Sequence, residues 1–158
     1  MKKLFVCTFL FLNIFYHESS LKATNLIDKG YYVIDLKRKV DWLKCSAGQQ
    51  WDEVKCSGEA IKLNLEEAEI ALNQLNEQLE GQWRLPNKKE LQSLICESCV
   101  GAKINKDFFP NTPAEPFWTS QKNWWSPKFY WSVNFFTGHV YGRFVPEKRL
   151  FLRFLRDR

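Results

Sequence analysis

Residues 108–154 constrain the fold of this chain more than any other stretch: fifteen of these forty-seven residues are aromatic and five are proline, at positions 110, 113, 116, 127 and 146. Proline removes a backbone donor and clashes with the preceding helical turn, whereas aromatic rings suit the half-buried surface of a strand. Long helices are excluded here, and short strands joined by structured loops are expected. Residues 129–136 and 139–145 flank Thr137-Gly138 and should pair as a hairpin. Residues 150–155 should form a last strand, with Leu150, Leu152 and Phe154 on one face. Alternation assigns Phe129, Trp131, Val133 and Phe135 to the core.

The upstream half reads differently. Residues 31–36, rich in Tyr, Val and Ile, suit an opening strand. Asn64-Leu65-Glu66-Glu67 is a capping box, because Asn64 can accept from the third helical amide while Glu67 reaches back. Leu65, Ala68, Leu72, Leu75 and Leu79 then recur at helical spacing, which predicts a helix over 65–80 closed by Gly81. Asn87 and Glu90 repeat the box before Leu91, Leu94 and Ile95, a shorter helix ending near Cys96. Two helices followed by a hairpin-rich aromatic antiparallel sheet make an α+β fold, and 158 residues suit one domain.

The first residues read as an address. Lys2 and Lys3 precede an apolar run over 4–16 and a small-residue exit at Leu21-Lys22-Ala23, the succession of a secretory signal peptide over 1–23 that leaves a domain over 24–158. The apolar run is too short to cross a bilayer, so no integral membrane span is expected. Cleavage would remove Cys7 and leave Cys45, Cys56, Cys96 and Cys99, an even number that suits disulfides in a secreted, periplasmic or cell-envelope protein. Four cysteines allow three connectivities, and proximity favours Cys45 with Cys56 and Cys96 with Cys99.

Material for catalysis is thin. After residue 23 there is one histidine, His139, and no hydrolase, zinc-protease or phosphate-loop motif. No cofactor is expected, and neither zinc nor calcium has a ligand set. Cys96-Glu97-Ser98-Cys99 has the spacing of a thiol–disulfide oxidoreductase, but it follows a helix where a redox-active pair would open one, so a structural staple is the preferred reading. Charge is divided unevenly: residues 24–100 carry ten Lys and Arg against thirteen Asp and Glu, residues 101–158 ten against four. Outside a cell such a surface meets anionic polysaccharide, lipid headgroups or acidic protein rather than nucleic acid. The candidate ligand-binding residues are Lys122, Trp124, Trp125, Lys128, Tyr141, Arg143, Lys148 and Arg149, since rings stack on apolar sugar faces and Lys or Arg pairs with sulfate or carboxylate.

An ordered set of blocks carries a family resemblance. Trp42 to Trp51 reads WLKCSAGQQW, followed by Cys56-Ser57-Gly58 and by Trp83-Arg84-Leu85-Pro86-Asn87-Lys88-Lys89-Glu90-Leu91. Then come Ile104-Asn105, Phe108-Phe109-Pro110-Asn111-Thr112, Phe117-Trp118-Thr119-Ser120, the stretch 135–138 and Arg153-Phe154-Leu155-Arg156. Over about residues 31–156 the chain resembles the Lcl C-terminal domain family of bacterial exported proteins, whose best-known member ends a collagen-like adhesin. The resemblance implies a C-type-lectin-like fold and binding of sulfated glycosaminoglycans. Trp131-Ser132-Val133 and Glu115-Pro116-Phe117 stand where true C-type lectins carry calcium motifs, so calcium-dependent sugar binding is not implied. Arg84 reads as structural, with five donors to satisfy loop carbonyls, and Arg153 and Arg156 as pairing within the sheet.

The expected function is therefore that of an exported non-catalytic binding domain with adhesin-like recognition of anionic glycans. The alternatives are an envelope structural or assembly component that binds a cell-surface protein, and the oxidoreductase.

Overall fold

The computed structural model describes residues 25–158; the signal-peptide reading and Cys7 lie outside the described residues. In chain order the elements are β1 (Leu26–Asp28), β2 (Tyr32–Asp35), β3 (Val40–Leu43), β4 (Gln50–Trp51), β5 (Cys56–Ser57), α1 (Leu65–Gln78), α2 (Lys88–Gln92), β6 (Pro116–Lys122), β7 (Tyr130–Asn134), β8 (Val140–Phe144) and β9 (Leu155–Asp157). All strand pairs within the sheets are antiparallel. A four-stranded sheet runs β1-β2-β3-β9, a two-stranded one β4-β5 and a three-stranded one β6-β7-β8.

Both capping boxes form. Asn64 accepts from the Glu67 amide at 2.8 Å and Glu67 from the Asn64 amide at 3.0 Å; Asn87 and Glu90 repeat the exchange at 2.9 and 2.7 Å. The first helix stops at Gln78, two residues before the expected end, because Leu79 is already extended. The second is a single turn and a half that ends at Gln92 rather than near Cys96: Leu94 and Ile95 continue as turns and Ile95 bridges Ile104.

Two apolar clusters fill the interior. The first joins Val33, Trp42, Leu91, Ile104, Phe117, Val133 and Phe135; the second joins Ala68, Trp83 and Trp118 to the Leu65, Leu72, Leu75 and Leu79 stripe of α1. Residues 150–155 thread between them. Leu150, Leu152 and Phe154 enter the second cluster while Phe151 and Leu155 enter the first. The expected alternation is present, but the ladder strand comes later, at Leu155–Asp157. The preceding residues bridge Leu63 and Phe117 singly, and one segment serving several neighbours cannot build a ladder with any of them.

Arg153 stands in this seam with 0% exposure. It donates to the carbonyls of Leu43 at 2.9 Å and of Lys44, and to the hydroxyls of Thr112 at 2.7 Å and Ser46 at 3.3 Å. Burial pushes its pKa down to about 9, still well above neutrality, so the seam holds a cation whose two terminal nitrogens meet neutral oxygens while its Nε is left without a hydrogen bond among the described residues. Arg156 pairs with Asp41 at 3.1 Å and lies over the rings of Tyr32 and Trp83. The disulfides are Cys45–Cys56 and Cys96–Cys99, the local connectivity.

Candidate functional site

The regular pairing of an antiparallel ladder breaks on both sides of one residue, Trp131. On β6, Trp118 pairs with Ser132 and Lys122 with Tyr130, so three residues, Thr119 to Gln121, face the single Trp131. On β8, Tyr141 pairs with Ser132 and Phe144 with Tyr130, so Gly142 and Arg143 together oppose it. Such bulges bend a strand and re-aim its side chains.

Each bulge is tied down. The β6 bulge meets the start of α2: the Ser120 amide donates to the Pro86 carbonyl at 2.8 Å and the Lys88 amide to Gln121 Oε1 at 3.3 Å. This contact sets Lys88 Nζ 4.0 Å from the centroid of the Trp131 ring. Across the strand, Asn123 Nδ2 donates to the Gly142 carbonyl at 2.9 Å while its Oδ1 accepts the Trp125 amide at 3.1 Å. One asparagine thus couples the β8 bulge to the loop bearing Trp124 and Trp125. These indoles stack with centroids 3.6 Å apart and remain 67% and 74% exposed.

Asn123, Trp131, Val140, Tyr141, Gly142 and Arg143 line a cleft of about 350 Å³. Lys122 lies 5.6 Å from the Tyr130 ring and Lys128 5.0 Å from the Phe129 ring. Lys88, Lys122, Lys128 and Arg143 form no ion pair among the described residues. Three of these cations are therefore set against aromatic rings and Arg143 lines the cleft, all without an ion pair, an arrangement suited to an anionic ligand carrying apolar faces.

Arg84 supports this surface from behind. It donates two hydrogen bonds to Glu90, at 2.8 and 2.9 Å, and two to Asp157, at 2.6 and 3.2 Å, clamping α2 to β9. Its partners are chiefly carboxylates rather than the expected carbonyls. Burial works to raise the Glu90 pKa, but the Arg84 bonds outweigh it and hold the carboxyl below its ordinary 4.5. The same bonds lower Asp157, and Arg84 itself is pushed further up.

Of the residues expected to bind ligand, the structure gathers Lys122, Trp124, Trp125, Lys128, Tyr141 and Arg143 on the β6-β7-β8 sheet and its connecting loop. Lys148 and Arg149 lie beyond β8 beside the start of α1, where Leu65 donates to the Pro146 carbonyl and Arg149 is paired with Glu67. Trp131 corrects its core assignment. Val133 and Phe135 are buried, but Trp131 and Phe129 are half-buried, since the strand outruns the five-residue α2 and a lysine covers the Trp131 ring. Lys88, Asn123 and Gly142 went unrecognised in the sequence. An isolated glycine in a strand pattern signals a bulge, and an asparagine before a loop signals a side-chain turn.

Among the described residues no group of three His, Cys, Asp or Glu is placed to hold a metal ion, and no helix is long and apolar enough to cross a membrane. Cys96–Cys99 follows α2. No curated protein and no solved structure matches the chain. The model of the Lcl C-terminal domain family matches residues 31–156, most of the chain's length, and the chain belongs to that family.

Proposed function

We propose that this is an exported, non-catalytic recognition domain of C-type-lectin-like architecture that binds an anionic glycan on the face built around Trp131. The observation that carries the reading is the pair of cations without ion pairs, Lys88 and Arg143, beside Trp131 and Tyr141, with Asn123 tying the stacked Trp124 and Trp125 to the same cleft. Sulfate or carboxylate groups engage the cations while pyranose faces lie on the rings. Export to the envelope or beyond agrees with two disulfides and with the charged-then-apolar leader, and the mature chain begins near residue 24.

The test is retention on immobilised heparin against a salt gradient. Arg143→Glu combined with Lys88→Gln should elute at much lower salt with an unchanged unfolding midpoint, because both side chains lie outside the core. Arg149→Glu should change retention little, since that cation is spent on Glu67. Retention that is unchanged in the folded double variant overturns the reading and favours an envelope assembly component with a protein partner.

A further inference from the structure

On the α1 side of the molecule a second cleft, of about 540 Å³, opens between that helix and the loop over 45–51, and it shares no residue with the basic face. None of its lining residues is Asp, Glu, Lys, Arg or His, in a chain of which 26% is charged. Trp51 and Tyr31 supply aromatic rings, and Gln50, Gln74 and Gln78 supply carboxamides. Gln74 and Gln78 are one helical turn apart on α1, with the small Ala71 a turn before them leaving the space open. The carboxamides of Gln50, Gln74 and Gln78 make no hydrogen bond among the described residues.

The loop wall is built in advance. The Cys45–Cys56 bridge closes it, Gln49 spans it by accepting the Ser46 amide and donating to the Asn111 carbonyl, and the Ala47 amide donates to Leu152. Gly48, at φ +88°, packs so closely that a Cβ would lie 2.6 Å from the Glu59 carbonyl oxygen. The nearby buried cation Lys44 does not line the cleft; it is held by Asp28 at 2.7 Å and by the Trp51 ring at 3.9 Å.

We infer that this cleft is a second binding site, for a neutral oligosaccharide. An anion would find no cation there and a cation no carboxylate. An alkyl chain would strip water from three carboxamides without replacing their hydrogen bonds. An uncharged pyranose offers what the cleft lacks: vicinal hydroxyls that donate and accept at carboxamides, and an apolar ring face for Trp51 and Tyr31. The volume falls within the range of preformed small-ligand sites, roughly 300–1,000 Å³.

The test is an array of neutral oligosaccharides of glucose, mannose and N-acetylglucosamine, followed by calorimetric titration of the best binder. The full domain should bind it with an affinity that low and high salt leave unchanged. Gln74→Ala with Gln78→Ala should weaken binding about tenfold or more, the worth of two neutral hydrogen bonds, and it raises helix propensity, so misfolding does not confound it. Ala71→Phe should abolish binding by filling the cleft. Array silence, equal binding by both folded variants, or retention of octanol in place of sugars overturns the inference. Loss of binding in the Arg143→Glu variant would also overturn it, by placing the sugar on the other face, and heparin retention is scored separately.

Discussion

Gly142→Ala puts the architecture of the basic face to a test in which two effects have opposite signs. In an open strand the added methyl should stabilise, because glycine costs roughly 0.5–1 kcal/mol relative to alanine in a regular element. Here a Cβ at position 142 would stand 2.8 and 2.9 Å from two carbons of the Trp131 ring and 3.0 Å from Asn123 Nδ2. Relaxed carbon contacts are about 3.5–4.0 Å, so the indole has to retreat by roughly 0.7 Å or more. Overpacking of this kind costs about 1–3 kcal/mol, so after the gain in strand propensity a net loss of roughly 0.5–2 kcal/mol remains and the unfolding midpoint should fall by about 2–8 °C. Thermal unfolding followed by near-ultraviolet circular dichroism measures it. In a Trp131→Leu background the two ring clashes are gone and only Asn123 Nδ2, at 3.0 Å, still crowds the methyl, so the same Gly142→Ala change should cost much less. A stabilised single variant, or an identical cost in both backgrounds, would refute the bulge packing and with it the placement of Arg143.

The Arg84 clamp predicts a pH dependence. Glu90 and Asp157 are held below their ordinary values of 4.5 and 3.8, so the stability they contribute is complete above those values and is lost as pH falls through the depressed ones. Urea titrations should show the wild type losing more stability than Arg84→Met between about pH 5 and pH 2, and parallel curves would exclude the clamp. Removal of Cys45 and Cys56 together, 11 residues apart, should cost about 3 kcal/mol by loop entropy and loosen the 45–51 wall, as read by urea midpoint and by proteolysis within the loop. Non-reducing peptide mapping should recover Cys45 with Cys56 and Cys96 with Cys99, and a native Cys96 that alkylates readily would revive the oxidoreductase reading.

Local chemistry was legible in the sequence and long-range closure was not. Asn64 with Glu67 and Asn87 with Glu90 announce helix starts because the signal lies within three residues and the bonds are made there. The Thr137-Gly138 turn is equally local: Gly138 adopts φ +77° and a hairpin forms there, but its strands are the shorter Tyr130–Asn134 and Val140–Phe144 joined by a loop over 135–139. Strand β1 was missed because only three residues form it, and its apolar content is Leu26 and Ile27. Most of the basic face could be listed from residue type, but not its assembly. Lys88 reaches Trp131 only because β6 bulges toward the Pro86 carbonyl, a contact spanning 34 positions. The alternation that assigned Trp131 to the core was the correct face of the strand; how far the opposing helix extends over that face is set by the length of α2, which the short apolar run before Cys96 overstated.

The seam over 150–155 has a temporal consequence. A chain growing from its N-terminus can make both helices and both disulfide loops early, yet β3 waits for β9 as its outer neighbour, and each apolar cluster waits for side chains from residues 150–155. Closure over such sequence separations is slow relative to local helix formation. Until residues 150–157 are in place the domain therefore stays open, and it closes when that stretch is drawn between two half-built interiors.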